Sequence, residues 1–395
     1  MSYPRPSLRA SRYIAIVFGI LALGYVVTYG VLFVLSAAGY AQAAFGSSAN
    51  PNAGFPLAAP LTVNPNTLFT PGTSGVSANH GSSLGAYNVK PNTVTVAGIS
   101  SGGFMAVQLQ VAYSTRIFGT AVFAGGPLYC AQGSQSTALG PCESGNGLTL
   151  RNYIYYTNQQ NGNGTIDPTS NIANKPIYMF SGTGDTTVHP AVMDMLDQYY
   201  LNYTNSGNIT FDNTTPAEHA WISPDGPNAC ASSTIPYINN CSIDPEQTFL
   251  TMFYGSLNAK NAGTLGGSYI QFNQDAFVPG GSAQAKSMDS TGWLYVPAAC
   301  ASGQACRLVI ALHGCLQYQG MIQQQFVQKS GINEWADTNN IIVLYPQATS
   351  SSSNPLNPLG CWDWWGYNSA DYALKSAPQM TAIMAMVSQI TSGQK

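Results

Sequence analysis

The hydrophobic pattern of the chain changes character several times, and each change predicts an element. From Tyr13 to Ala38 apolar residues run without a charge. That is longer than the about 7–15 residues of a signal-peptide core and past the about 20 that span a bilayer. Ala41-Gln42-Ala43 closes the run with a cleavage-like pattern, so residues 1–43 read as a signal peptide, with a membrane anchor as the alternative. Ala, Pro, Asn, Gly and Ser then dominate, with no Asp, Glu, Lys or Arg before Lys90, and residues 44–85 read as a flexible leader. Beyond it the pattern becomes that of a folded domain over 86–395. Val94-Thr95-Val96-Ala97 reads as a strand and Phe104–Tyr113 as a helix. A buried strand beginning at Pro176 ends in a glycine-rich turn, and Arg307–Leu312 has the composition of a central strand. A helical stretch over Met321–Thr338, a buried strand over Ile341–Pro346 and a last helix over Pro378–Thr391 complete the reading.

Chemistry enters where the first strand meets the first helix. Gly98-Ile99-Ser100-Ser101-Gly102 fits the G-x-S-x-G nucleophile elbow, a strained turn that lifts a serine hydroxyl above the sheet edge. Ser100 is the candidate nucleophile. The pattern alone is weak, because with 40 glycines in 395 residues a Gly/Ser turn before a helix is often a plain loop. A serine needs a base and an acid to orient it. Of the four histidines, His80 lies in the leader, His189 shares the loop of the best acid, and His313 follows the central strand, which leaves His219 as the base. The competing reading of His219 is a loop histidine bonded to backbone. Asp185, at the carboxyl end of the strand from Pro176, is the candidate acid; the alternative is a cap for a helix starting near Pro190. The order Ser100, Asp185, His219 matches that of α/β-hydrolases. In that fold a strand ending in His-Gly normally precedes the serine and donates an oxyanion-hole N–H, whereas His313-Gly314-Cys315 follows it here. The expectation is therefore a circularly permuted α/β-hydrolase, with the backbone N–H groups of Ser101 and Cys315 as oxyanion donors.

These residues sit in longer stretches that resemble one family. Ile99-Ser100-Ser101-Gly102-Gly103-Phe104-Met105-Ala106-Val107-Gln108-Leu109, Phe123-Ala124-Gly125-Gly126-Pro127-Leu128-Tyr129-Cys130-Ala131-Gln132-Gly133, Leu312-His313-Gly314-Cys315-Leu316-Gln317 and Gly360-Cys361-Trp362-Asp363-Trp364-Trp365-Gly366-Tyr367 resemble, in this order, the short-chain-length poly(3-hydroxybutyrate) depolymerases whose oxyanion motif lies C-terminal to the lipase box. The resemblance covers roughly Leu84 to Ser392. It implies a triad of Ser100, Asp185 and His219, an oxyanion hole of Ser101 and Cys315, and hydrolysis of esters between short 3-hydroxyacyl units. Two departures from the family are a long N-terminal extension and the lack of a polymer-binding module after Lys395, which predicts weak adsorption.

Composition adds limits. Charged residues make up 7% of the chain and the net charge is −3, with Lys and Arg scattered, which excludes a phosphate-clamping nucleic-acid partner and suits an uncharged polyester or hydroxyacid oligomer. A monomer outside the cytoplasm is expected, secreted or periplasmic, touching membrane only if the N-terminal segment stays uncleaved. Eight cysteines in an exported chain suggest four disulfides, Cys130–Cys142, Cys230–Cys241 and Cys300–Cys306 closing short loops and Cys315–Cys361 fastening the oxyanion strand to the tryptophan loop. The cysteines lack C-x-x-C spacing and the histidines are scattered, so no metal or other cofactor is expected. Trp362, Trp364 and Trp365 cannot all point inward from one strand, so some exposure and contact with substrate are expected, with core packing as the alternative. A general short-chain carboxylesterase or feruloyl-type esterase would carry the same triad, and a binding protein on a hydrolase fold is the non-enzymatic alternative.

Overall fold

The computed structural model of the chain describes residues 83–395. The signal peptide or anchor expected over 1–43, and the leader up to residue 82, lie outside the described residues, as does His80. In chain order the strands are β1 (Val89–Ile99), β2 (Gly119–Phe123), β3 (Ile177–Phe180), β4 (Ile209–Asp212), β5 (Trp221–Ile222), β6 (Asn228–Ala229), β7 (Ile238–Asn240), β8 (Ser268–Asn273), β9 (Thr291–Val296), β10 (Cys306–Leu312) and β11 (Ile341–Tyr345). Eight of them make one sheet in the order β4-β3-β2-β1-β10-β11-β9-β8, while β5, β7 and β6 form a small second sheet. Pairing is parallel from β4 to β11 and antiparallel at β11–β9 and β9–β8. Central strands such as β10 are buried on both faces, which is why they read as unbroken apolar runs and not as alternation.

The sheet order demonstrates the permutation. β10 pairs directly with β1, Gly98 opposite Leu312, although the chain reaches β10 last but one among the sheet strands. The final helix packs its end against the start of β1, so the two chain segments that a permutation separates lie side by side. Tyr87 N–H donates to Ile390 O at 2.8 Å and Gln389 Nε2 to Leu84 O at 3.0 Å. Leu84 is buried, so the folded part takes in the last residues assigned to the leader.

Three helices matter for the site: α1 (Ser101–Ala112), α2 (Pro190–Tyr200) and α3 (Pro378–Thr391). Every residue of α1 is buried; Gln108 Nε2 donates to Asp363 O and Tyr372 O, and Gln110 Oε1 accepts from Tyr200 OH at 2.6 Å while its Nε2 is buried without a partner. The helical stretch expected over Met321–Thr338 is broken into pieces, Gln319–Ile322, Gln325–Lys329 and Ile332–Asn339. The breaks fall at Gln323 and Gly331, both at positive φ, a backbone state that ends a helical run. All four expected disulfides are present. No described helix is long and apolar enough to cross a membrane.

Candidate active site

The elbow forms because three backbones meet where side chains would not fit. A Cβ on Gly98 would collide with Gly102 O, and one on Gly102 with the carbonyl oxygens of Leu312 at the end of β10 and of His313 just beyond it. Glycine at both places lets α1 start directly over the β1–β10 junction. Ser100, between them, is held at φ 57° and ψ −125°, with its N–H on Phe123 O at the end of β2. A non-glycine residue at positive φ costs about 1–3 kcal/mol and persists only where the surroundings impose it. Here the flanking strands do so.

Asp185 follows β3, two strands from β1. Its Oδ1 accepts the N–H groups of Thr187 and Val188 at 2.9 and 2.8 Å, which aims Oδ2 at His219 Nδ1, 2.9 Å away. The cap of α2 is His189, so the helix-cap reading of Asp185 does not hold. His189, in the same loop as Asp185, is exposed. Both members of the Asp185–His219 pair are buried. Burial by itself lowers the His219 pKa, but the Asp185 carboxylate, with Glu143 and Glu218 behind it, outweighs burial and raises it above the ordinary 6.5. Glu143 is pushed up to about 7 by its own burial. No hydrogen bond joins Ser100 Oγ to His219 among the described residues; such contacts often close only around substrate.

Glu218 escaped the sequence reading. Its carboxylate accepts from Thr186 Oγ1 at 2.7 Å, from Thr186 N–H at 3.3 Å and from His219 N–H at 2.8 Å, pinning the Asp185 loop to the His219 loop. The residue stands next to His219 in sequence, yet nothing in its neighbours marks a clamp to a loop 32 positions earlier.

The loop after β10 runs against the elbow, where a Cβ on Gly314 would lie 3.1 Å from Ser100 Cβ. His313 is fully buried, with Nε2 accepting from Ala348 N–H at 3.1 Å and Nδ1 2.7 Å from Gly314 O. That pairing assigns the proton to Nδ1, which donates to Gly314 O, and burial holds the ring neutral with a pKa of about 4. The peptide between Gly314 and Cys315 therefore turns its N–H away from His313. Gly314, Leu316 and Gln317 N–H all have internal acceptors, whereas none is found for Cys315 N–H or for Ser101 N–H at the first position of α1.

The tryptophans differ from expectation. Trp362, Trp364 and Trp365 are 0%, 4% and 8% exposed, and none projects into solvent. Alternation along a strand does not apply, because the segment is an irregular loop in which each ring turns inward independently. Trp362 Nε1 donates to His313 O at 3.0 Å, bracing the loop after β10, and Trp364 stacks on Phe104 of α1 with ring centroids 4.1 Å apart. Asp363 holds the loop's shape by accepting the N–H groups of Gly366, Tyr367, Asn368 and Ser369.

Residues 291–393 match the family described as Esterase PHB depolymerase. The chain is 46% identical over 325 residues to a poly(3-hydroxybutyrate) depolymerase of Delftia acidovorans, covering 81% of this chain and 64% of that one. It is 43% identical over 323 residues to a polyhydroxybutyrate depolymerase of Talaromyces funiculosus, covering 78% of this chain and 93% of that one. It thus spans less than two thirds of the Delftia relative. The crystal structure of the PHB depolymerase from Penicillium funiculosum superposes with a TM-score of 0.74 at 43% identity, covering 80% of this chain and all of that one. A PHB depolymerase in which a serine is replaced by alanine, complexed with an R3HB trimer, matches with a TM-score of 0.74 at 42% identity. At this identity and coverage, on an α/β-hydrolase sheet with a serine elbow, the chain belongs to the polyhydroxybutyrate depolymerase family.

Proposed function

We propose that this protein hydrolyses the ester bonds of poly(3-hydroxybutyrate) or its oligomers through an acyl-enzyme on Ser100. The observation that carries the reading is the buried Asp185–His219 hydrogen bond on the sheet whose central strand ends at the strained serine. In the reaction His219 removes the Ser100 proton as Oγ attacks the ester carbon, and Asp185 stabilises the imidazolium that forms. The negative charge on the carbonyl oxygen is met by the N–H groups of Ser101 and Cys315, which are free to donate to it. Collapse expels the alkoxide end of the polymer, protonated by His219, and water repeats the sequence to release the acid. Four disulfides favour an oxidising compartment, in keeping with export to where an extracellular polymer lies. Incubation with amorphous polymer should release soluble 3-hydroxybutyrate or its short oligomers, and a serine-directed phosphonate should label Ser100 and stop the release. Product formation by a fully labelled enzyme would refute the mechanism.

The base must be neutral to act, so kcat/KM should fall as pH drops through the His219 pKa, with the acid limb centred above 6.5. Glu143→Gln removes one of the carboxylates that raise this pKa, so the limb should move to lower pH. A pH profile on a soluble nitrophenyl ester reads this directly, and a limb that stays put or moves up contradicts it.

Adsorption to solid polymer falls to apolar side chains other than the tryptophans. Leu356 and Leu359 are 58% and 40% exposed in the segment that leads into Cys361, and Leu359 O accepts from Leu316 N–H beside Cys315. Replacing both leucines with Ser should weaken adsorption by about 1–3 kcal/mol, while nitrophenyl ester hydrolysis changes little. Adsorption isotherms decide the matter; an unchanged isotherm would place the binding surface elsewhere.

A further inference from the structure

The oxyanion donor proposed above is one N–H on a surface-facing loop, and its usefulness depends on how rigidly that loop is aimed. Gln317 is buried two positions beyond Cys315, with both ends of its amide hydrogen-bonded. Its Oε1 accepts from Gly314 N–H at 2.7 Å. Its Nε2 donates to Pro236 O at 3.0 Å and to Tyr237 O at 2.9 Å, on the segment entering β7. Tyr237 O also accepts from Trp221 N–H at 2.9 Å, and Trp221 lies two positions after His219. One side chain therefore joins the oxyanion loop to the segment that carries the base.

The bond to Gly314 has a particular consequence. Two peptide planes lead up to and include the donor. In the first, the carbonyl of His313 accepts from Trp362 Nε1 and the N–H of Gly314 is taken by Gln317. In the second, the carbonyl of Gly314 is held by His313, and the remaining group is Cys315 N–H. Without Gln317 the first plane has one tether, Gly314 N–H becomes a competing free donor beside Ser100, and the loop can rotate.

We infer that Gln317 is a positioning residue that aims the Cys315 N–H at the developing oxyanion and keeps it in register with His219. This rests on the serine-esterase reading above. It sets the stabilisation of the transition state and leaves ground-state substrate binding nearly untouched, so loss should appear in kcat and not in KM.

The test uses the whole protein and two variants. Gln317→Met keeps the length and removes every hydrogen bond; it should lower kcat for a nitrophenyl butyrate by about 10–100-fold with KM changed less than about threefold, somewhat below the loss of a whole oxyanion donor. Affinity for an aryl trifluoromethyl ketone, which adds to the serine as an oxyanion, should fall by a like factor. Gln317→Glu guards against a misfolded Met variant. As a carboxylate it lacks any donor for Pro236 and Tyr237, but once protonated it regains one O–H donor, against the amide's two, and keeps an acceptor. Its kcat relative to wild type should therefore rise as pH falls. A folded Gln317→Met with unchanged kcat and ketone affinity, or a Gln317→Glu ratio flat in pH, overturns the inference. Failure of the wild type itself to bind the ketone would instead overturn the serine mechanism, so the two failures are distinct.

Discussion

Ser100→Ala should lower kcat for a nitrophenyl ester by about 10⁴-fold or more, equivalent to about 5.5 kcal/mol of barrier, and leave the fold unchanged. The hydroxyl supplies the atom that bonds to the acyl group, and no neighbour in the elbow replaces it: Ser101, the next hydroxyl, is buried and accepts from Trp362 N–H at 3.3 Å. Structure is preserved because what holds residue 100 is backbone. Its N–H bonds to Phe123 O, its carbonyl accepts from Phe104 N–H, and the flanking glycines permit the approach of β10. Alanine at φ 57° bears the same steric burden as serine. Thermal unfolding and kcat should be measured on the same preparation. A variant that keeps a tenth of the wild-type rate would end the assignment of Ser100.

The second large effect separates the histidines. His219→Ala and Asp185→Asn should each cost about 10⁴-fold in kcat, the first by removing the base and the second by leaving it in the wrong tautomer. Asparagine can still accept the Thr187 and Val188 N–H bonds through its oxygen, so the acid loop keeps its turn while its NH₂ faces His219 Nδ1. That makes Asp185→Asn a test of chemistry with little change of shape. His189→Ala should stay active, because His189 is exposed at the start of α2 and its side chain makes no cap bond. Rates for the three variants on one soluble ester suffice; an inactive His189→Ala beside an active His219→Ala would reverse the choice of base.

Much of the site is legible along the chain, for a physical reason. An elbow is a local object: strand, Gly-x-Ser-x-Gly and helix must be contiguous, so β1, Ser100 and α1 are written within two dozen residues. The Asp185–His219 bond was reachable because few histidines compete and because the acid must follow a strand. The displaced His313-Gly314 even disclosed the permutation, since a strand of that type must pair beside the nucleophile strand wherever it falls in the chain. Close cysteine spacing likewise matched three disulfides, and the remaining pair, Cys315–Cys361, the fourth.

What lay beyond that reading depends on approaches between distant segments. The inward turn of Trp362 and Trp364 follows from His313 O, in the loop after β10, and Phe104, on α1, arriving at their loop from distant parts of the chain, while Trp365 packs on Trp364 and Tyr367. The break of the helical stretch at Gln323 and Gly331 interrupts a pattern that local spacing continues. Glu218 and Gln317 look like ordinary polar residues until the loops they bridge are brought within hydrogen-bond reach, over separations of 32 and about 80 positions. Periodicity and motif spacing report how a segment behaves against an averaged environment, burying one face or forming one turn. A clamp depends on a particular donor meeting a particular acceptor, and that meeting exists once packing has joined the two loops.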